Sequence, residues 1–194
     1  MIFDNIPGAT PLPLDAAKDL KRRISTQGEL NILEALNIQN ARDWMPTSRI
    51  MRDNYPNVRA LLRLHKEMFD RTWKWAGKYR NIITSIGIPI QRIPMEVMSL
   101  CDDACFWIEY NTYPWDEIGV RFHHRLVAIH PFNNGNGRHA RLATDALMTQ
   151  NGQKPFTWGS QSLIDAGGIR SAYIAALQAA DKGDYAPLLA FVRT

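Results

Sequence analysis

From residue 56 to residue 73 the chain reads PNVRALLRLHKEMFDRTW, with apolar side chains returning every three or four positions. That spacing draws one stripe along an α-helix and cannot line one face of a strand, whose period is two. The same period returns along most of the chain, and this repetition restricts the fold more than any other feature. After Gly28, ELNILEALNIQNARDWM carries Leu30, Leu33, Leu36 and Ile38 at helical spacing. Asp15 is placed to cap a helix over AAKDLKRRIS, Pro56 suits a first helical turn, and Pro94 opens a helix over MEVMSLCDDACFWIEYN. WDEIGVRFHHRLVAIH (115–130), RHARLATDALMTQNG, SLIDAGGIRSAYIAALQAADKGD and YAPLLAFV supply the remaining helices. KYRNIITSIGIPIQRI (78–93) differs: it is β-branched, short in period and broken by Gly87 and Pro89, which predicts a hairpin. One hairpin cannot build a sheet domain. The expected class is therefore all-α, a bundle of about seven or eight helices with one β-hairpin.

An apolar share of 45% over 194 residues suits one domain with a full core. The Pro- and Gly-rich residues 1–13 read as an extended arm. Net charge is +4, and the densest basic run, KDLKRR (18–23), reads as a solvated helix face, so nucleic acid is not the expected partner. The N-terminus lacks a basic start and an apolar core, which predicts no signal peptide, and no run approaches the roughly 20 apolar residues of a membrane span. A cytoplasmic protein is expected. Cys101 and Cys105 share a helix face four residues apart, a poor geometry for a disulfide, and read as reduced core residues. His123 and His130 are seven apart, about 10 Å along a helix, too far for one ion. The tryptophans lie in apolar stretches and read as core or as support for the hairpin.

HPFNNGNGRHAR (130–141) is the segment that carries chemistry. Glycines are costly inside a helix, at about 1 kcal/mol each, but suit a turn whose amides converge. With helix from Arg138 onward, Gly135, Asn136 and Gly137 fall at a helix N-terminus, where free N–H groups and the dipole favour an anion. Arg138 and Arg141 are three apart and add two guanidiniums to the first turns. A phosphate chain answers that set better than a single carboxylate. His130 precedes the cradle and suits a general base, with Phe132 as the apolar anchor of the loop. The residues read as a site for phosphoryl or nucleotidyl transfer. The competing reading is a Gly/Asn-rich turn between helices with no ligand.

The same residues resemble the signature of the Fic family, H-x-F-x-[D/E]-G-N-G-R-x-x-R, at seven of its eight defined positions. The resemblance extends through EMFDRTWKWAGKYR (67–80) and YIAALQAADKGDYAPLLAFV (173–192), and so covers roughly residues 55 to 192. Chain length and STQGELN resemble the small subgroup known as mobile mystery protein B. The resemblance implies a Fic-type bundle in which residues 55–194 form the core and 1–54 an arm with helices, open to an inhibitory role. It implies transfer of AMP from ATP, with Mg²⁺, to a Ser, Thr or Tyr hydroxyl of a target protein. His130 would be the base; Gly135, Asn136 and Gly137 the anion hole; Arg138 and Arg141 the contacts to the outer phosphates. The segment at about 79–93 would be a flap that takes the target by strand addition. Asn134 stands where the family has an acidic, metal-binding residue, and a neutral amide holds Mg²⁺ less tightly. STQGELN (25–31) offers Ser25 and Glu29 at the interval of the family's inhibitory pattern, although Leu30 departs from it. The alternatives are transfer of another phosphate-containing group or removal of AMP at the same site, and a weakly catalytic nucleotide-binding regulatory module. Target, nucleotide preference and oligomeric state are not legible.

Overall fold

The structure, a computed structural model, describes residues 16–24, 26–159 and 168–194. Among these residues the chain forms eight α-helices with short 3₁₀ turns and no strand. They are α1 (Gln27–Trp44), α2 (Arg49–Arg52), α3 (Val58–Phe69), α4 (Ile93–Glu109), α5 (Trp115–Ile129), α6 (Asn136–Gln150), α7 (Gly168–Ala180) and α8 (Ala186–Phe191). The all-α expectation holds.

Local predictions at two segments, 16–25 and 78–93, are corrected. The helix expected over AAKDLKRRIS is a single 3₁₀ turn, Ala16–Asp19, after which Leu20 pairs in an isolated bridge with Trp73. The hairpin expected over 78–93 has no paired strands. The buried Arg80 side chain bonds the carbonyls of Ile82 and Ile88, and Gly87 adopts φ 112°. Both features take the loop out of the geometry a ladder needs.

α3 shows how sequence becomes packing here. Asn57 caps it, its Oδ1 accepting from the Ala60 N–H at 2.9 Å. Pro56 therefore lies outside the helix it was expected to open. Leu61, Leu64, His65 and Met68 form one buried face directed at α1 and α6, and each large apolar side chain so buried contributes about 1.5–3 kcal/mol. α5 and α6 pack along each other, with α4 against α5. Leu20, Ile24, Leu30, Ala41 and Met51 join the same buried cluster as residues of α3, α4, α5 and α6. A second cluster gathers Val120 and Met148 with Phe156, Trp158, Tyr173 and Leu188, seating α7 and α8.

α1 follows its apolar pattern only in part: Leu30 is buried and Leu33 and Ile38 pack half-buried against the core, but Leu36 does not. Its buried stripe is Leu30, Glu34, Asn37 and Ala41, while Leu36 is 57% exposed and Ile32 63% exposed. The inward face is stabilised by polar bonds: Asn37 Nδ2 donates to Thr72 Oγ1 at 2.8 Å, and Trp73 Nε1 donates to Glu34 Oε1 at 2.7 Å. The cysteines also part company, Cys101 buried and Cys105 on the surface. No helix among the described residues is long and apolar enough to cross a membrane.

Candidate active site

α5 ends because His130 turns left-handed, at φ 53° and ψ 59°. For a non-glycine residue that conformation costs about 1–2 kcal/mol, and it needs partners that hold it. One is Arg80, whose Nε donates to the His130 carbonyl at 2.6 Å while its backbone N–H donates to Pro131 O at 2.8 Å. His130 is 4% exposed, and burial lowers its pKa to about 4; a hydrogen bond to the Val127 backbone opposes that shift, and the Arg80 charge adds to it. Near neutral pH the ring is uncharged and able to accept a proton.

The loop that follows is closed by its own side chains. Asn136 Oδ1 accepts from the Phe132 N–H at 2.9 Å, and its Nδ2 donates to Phe132 O at 2.8 Å. The Asn136 amide thus builds the loop, and only its backbone N–H is left to offer an anion. Asn134 Oδ1 accepts from the Gly135 N–H at 2.6 Å. His65 anchors the loop from below. Its Nδ1 accepts from the Gly77 N–H at 2.9 Å, so the ring proton sits on Nε2 and is donated to Asn134 O at 3.1 Å. The same ring stacks on Phe132, with centroids 3.6 Å apart.

Gly135 and Gly137 are glycines for different reasons. Gly135 has φ 77°, and a Cβ there would lie 2.4 Å from the Phe69 ring, so the fold itself demands glycine. A Cβ on Gly137 would meet only Arg141 Nη1, at 3.7 Å. Nothing in the folded chain requires glycine at 137, in a first helical turn where it costs stability. The bare backbone leaves room at the N-terminus of α6, and Gly135 has no side chain to cap that end.

The two arginines engage different elements. Arg141 reaches back over Gly137 and lies 5.6 Å from the Tyr173 ring of α7. Arg138 turns to α1, where its Nη1 donates to Glu34 Oε2 at 2.6 Å. Glu34 is 6% exposed and joins Arg138 to Trp73. Glu29, the residue at the interval of the inhibitory pattern, lies exposed in the first turn of α1, where its N–H donates to Thr26 Oγ1. Five residues along a helix turn through about 140°, which separates the faces of Glu29 and Glu34. Ser25 lies outside the described residues. Glu34 was missed because only the apolar side chains of α1 were read as its inner face, and Glu34 shares that face with Leu30, Leu33 and Ile38. The spacing of Leu30, Glu34, Asn37 and Ala41 would have found it.

His123 and His124 are structural, bonded to Tyr173 Oη and Asp181 Oδ1, each at 2.8 Å. Trp73 and Trp158 are core residues, as expected of the tryptophans. Among the described residues no group of three His, Cys, Asp or Glu is placed to hold a metal ion.

Fold and site together are a helical bundle that presents a glycine-opened helix N-terminus six residues after a neutral histidine. Residues 55–148 match the family described as Fic/DOC. It is 31% identical over 120 residues to a protein adenylyltransferase, fic-1, of Caenorhabditis briggsae, covering 60% of this chain and 22% of that protein. It is 37% identical over 139 residues to a protein adenylyltransferase Fic of Drosophila grimshawi, covering 70% of this chain and 27% of that protein. The chain therefore spans about a quarter of the length of these curated relatives. In fold it is similar to the BepC protein of Bartonella tribocorum solved with bound AMPPNP, at a TM-score of 0.64 and 20% identity, covering 89% of each chain.

Proposed function

We propose that this chain is a protein adenylyltransferase that moves AMP from ATP to a Ser, Thr or Tyr hydroxyl of a target protein and releases pyrophosphate. The observation that carries the reading is the uncapped, glycine-opened N-terminus of α6, which begins six residues after His130, the residue that ends α5 with a neutral imidazole. The relatives' name, protein adenylyltransferase, supports the same reaction. The N–H groups of Asn136, Gly137 and Arg138 and the helix dipole would hold the inner phosphates, and the Arg138 and Arg141 guanidiniums the outer ones. His130 would take the proton from the target hydroxyl as its oxygen attacks the α-phosphorus. The bond from that phosphorus to the bridging oxygen breaks, and pyrophosphate leaves with the electron pair. Such a base contributes typically 10²–10⁴-fold. The target would dock on the flap, where Ile83 is 92% exposed and Ile86 50% exposed.

Mg²⁺ fits this loop only weakly. The segment offers the Asn134 amide oxygen, already accepting from Gly135, and no carboxylate, so a bound ion would draw most of its ligands from phosphate and water. The ion would neutralise phosphate charge. Asn134→Asp is expected to lower the Mg²⁺ concentration needed for half-maximal ATP binding by roughly tenfold, as one added carboxylate charge is worth about 1–2 kcal/mol at such a site. Titration calorimetry at fixed ATP measures it, and an unchanged Mg²⁺ requirement removes Asn134 from the metal's surroundings.

The segment before residue 55 would act as the inhibitor, with Glu34 rather than Glu29 as its carboxylate. While Glu34 holds Arg138, that guanidinium is withheld from the terminal phosphate. The test is incubation of the full chain and its Glu34→Gly form with ATP labelled at the α- or the γ-phosphate. Protein labelled from the α- but not the γ-position, and lost in His130→Ala, is the expected result. Label from the γ-position would make the chain a kinase. Nucleotide binding without label in any form would make it a regulatory module.

A further inference from the structure

Arg80 is the least ordinary charged group outside the cradle. It is 3% exposed, and its bonds run to backbone carbonyls. Nε donates to the carbonyl of His130, Nη1 to that of Ile82 at 3.1 Å, and Nη2 to that of Ile88. Ile82 and Ile88 bracket the flap segment that presents Ile83 and Ile86 to solvent. One planar guanidinium therefore fixes both ends of the flap and the carbonyl of the histidine that would be the base. Two backbone bonds follow the same seam, Arg80 N–H to Pro131 O at 2.8 Å and Ile88 N–H to Ile129 O at 3.4 Å. Gly87 completes it. A Cβ at that position would lie 2.7 Å from His130 Cβ and 2.8 Å from Arg80 Nη2, so the flap backbone rests directly on both residues.

We propose that Arg80 is a positioning residue that locks the target-docking flap to His130, so that a chain seated on the flap presents its hydroxyl at a fixed place relative to the imidazole. A guanidinium suits this role because its five donors fan out in one plane and reach carbonyls in different directions. An ammonium places its donors on one atom and cannot span the same three acceptors. The nucleotide cradle is built from α6 and does not need the flap, so loss of the lock should fall on turnover and on the protein substrate rather than on ATP.

The functional consequence rests on the adenylyl-transfer reading; the coupling itself does not. The experiment compares the full chain with Arg80→Lys and Gly87→Ala, each also in the Glu34→Gly form. Expected in both variants are a shift of the His130 imidazole resonances, at least tenfold faster hydrogen exchange at the Ile88 amide, and unchanged protection across α5 and α6. In the Glu34→Gly forms, kcat for protein labelling falls at least tenfold while KM for ATP changes less than threefold. Unmoved His130 resonances overturn the proposal, as does an equal loss of protection across α5 and α6, which would make Arg80 a general brace of the core. If Arg80→Lys does not fold, Gly87→Ala decides by the same readouts, since it disturbs the seam from a surface loop. If the Glu34→Gly chain labels no protein, the transfer reading fails, and resonance shift and exchange still decide the coupling.

Discussion

Glu34→Gly is expected to raise labelling of protein from α-labelled ATP at least tenfold over the native chain, and at the same time to make the fold less stable. Both effects follow from one carboxylate with two partners, Arg138 and Trp73. A charge-assisted hydrogen bond of this kind is worth about 1.5–3 kcal/mol, and each 1.4 kcal/mol is a factor of ten in the fraction of chains with Arg138 free to meet a phosphate. The cost lies elsewhere. The Trp73 indole N–H is left buried without an acceptor, at about 1–3 kcal/mol, and glycine inside α1 adds about 1 kcal/mol. Thermal melting should therefore fall by roughly 5–10 °C for a domain of this size. Glu34→Gln separates the two effects. It keeps an oxygen for Trp73 and removes the charge, so it should activate with a smaller loss of stability. Glu29→Gly should leave labelling within twofold of the native chain. Activation by Glu29→Gly and none by Glu34→Gly would refute the assignment.

Acid is expected to unfold this chain steeply, with most of the loss between about pH 6 and 4.5. Burial is the leading cause of a lowered pKa at each of four histidines: His123 at about 3, His130 and His139 at about 4, and His65 well below its ordinary value. An unfolded histidine titrates near 6.5. Below that value the unfolded chain binds protons that the folded chain does not, so stability is full above pH 6.5 and is lost as pH falls. Asp145 works the other way. Its pKa is raised to about 6, mainly by burial, so the folded chain gains a proton there and offsets one histidine. Three net protons correspond to about 4 kcal/mol per pH unit, which over one to two units matches the whole stability of an ordinary domain. Circular dichroism against pH measures the transition. His139→Gln should move the midpoint down, because Gln cannot be charged and its amide can still donate to Leu61 O, where the His139 ring now bonds at 2.9 Å. A midpoint below pH 4, or one unmoved by that substitution, would refute the account.

The elements differ in how far the sequence alone could carry them. α3 was legible because its one-sided apolar stripe lies within a dozen residues, although its cap, Asn57, was not read. The turn between α5 and α6 was legible for a related reason. Glycines between two helical runs mark the turn, and a helix N-terminus carries its electrostatics wherever it is placed. Asn136 is read from sequence for its backbone amide at the helix N-terminus, whereas its side chain closes the loop on Phe132, a reciprocal bond that spacing does not reveal.

By itself, then, the sequence determined the all-helical class, the α5–turn–α6 unit and the place of His130 at its corner, because each depends on residues within a few positions of one another. Tertiary structure alone decided that α1 turns Glu34 and Asn37 inward, that Glu34 reaches Arg138 across 104 residues of chain, and that Arg80 ties the flap to His130. These pairings join segments distant in the chain. They are chosen by which buried polar groups can satisfy one another once the apolar faces have closed, and no local periodicity records that choice.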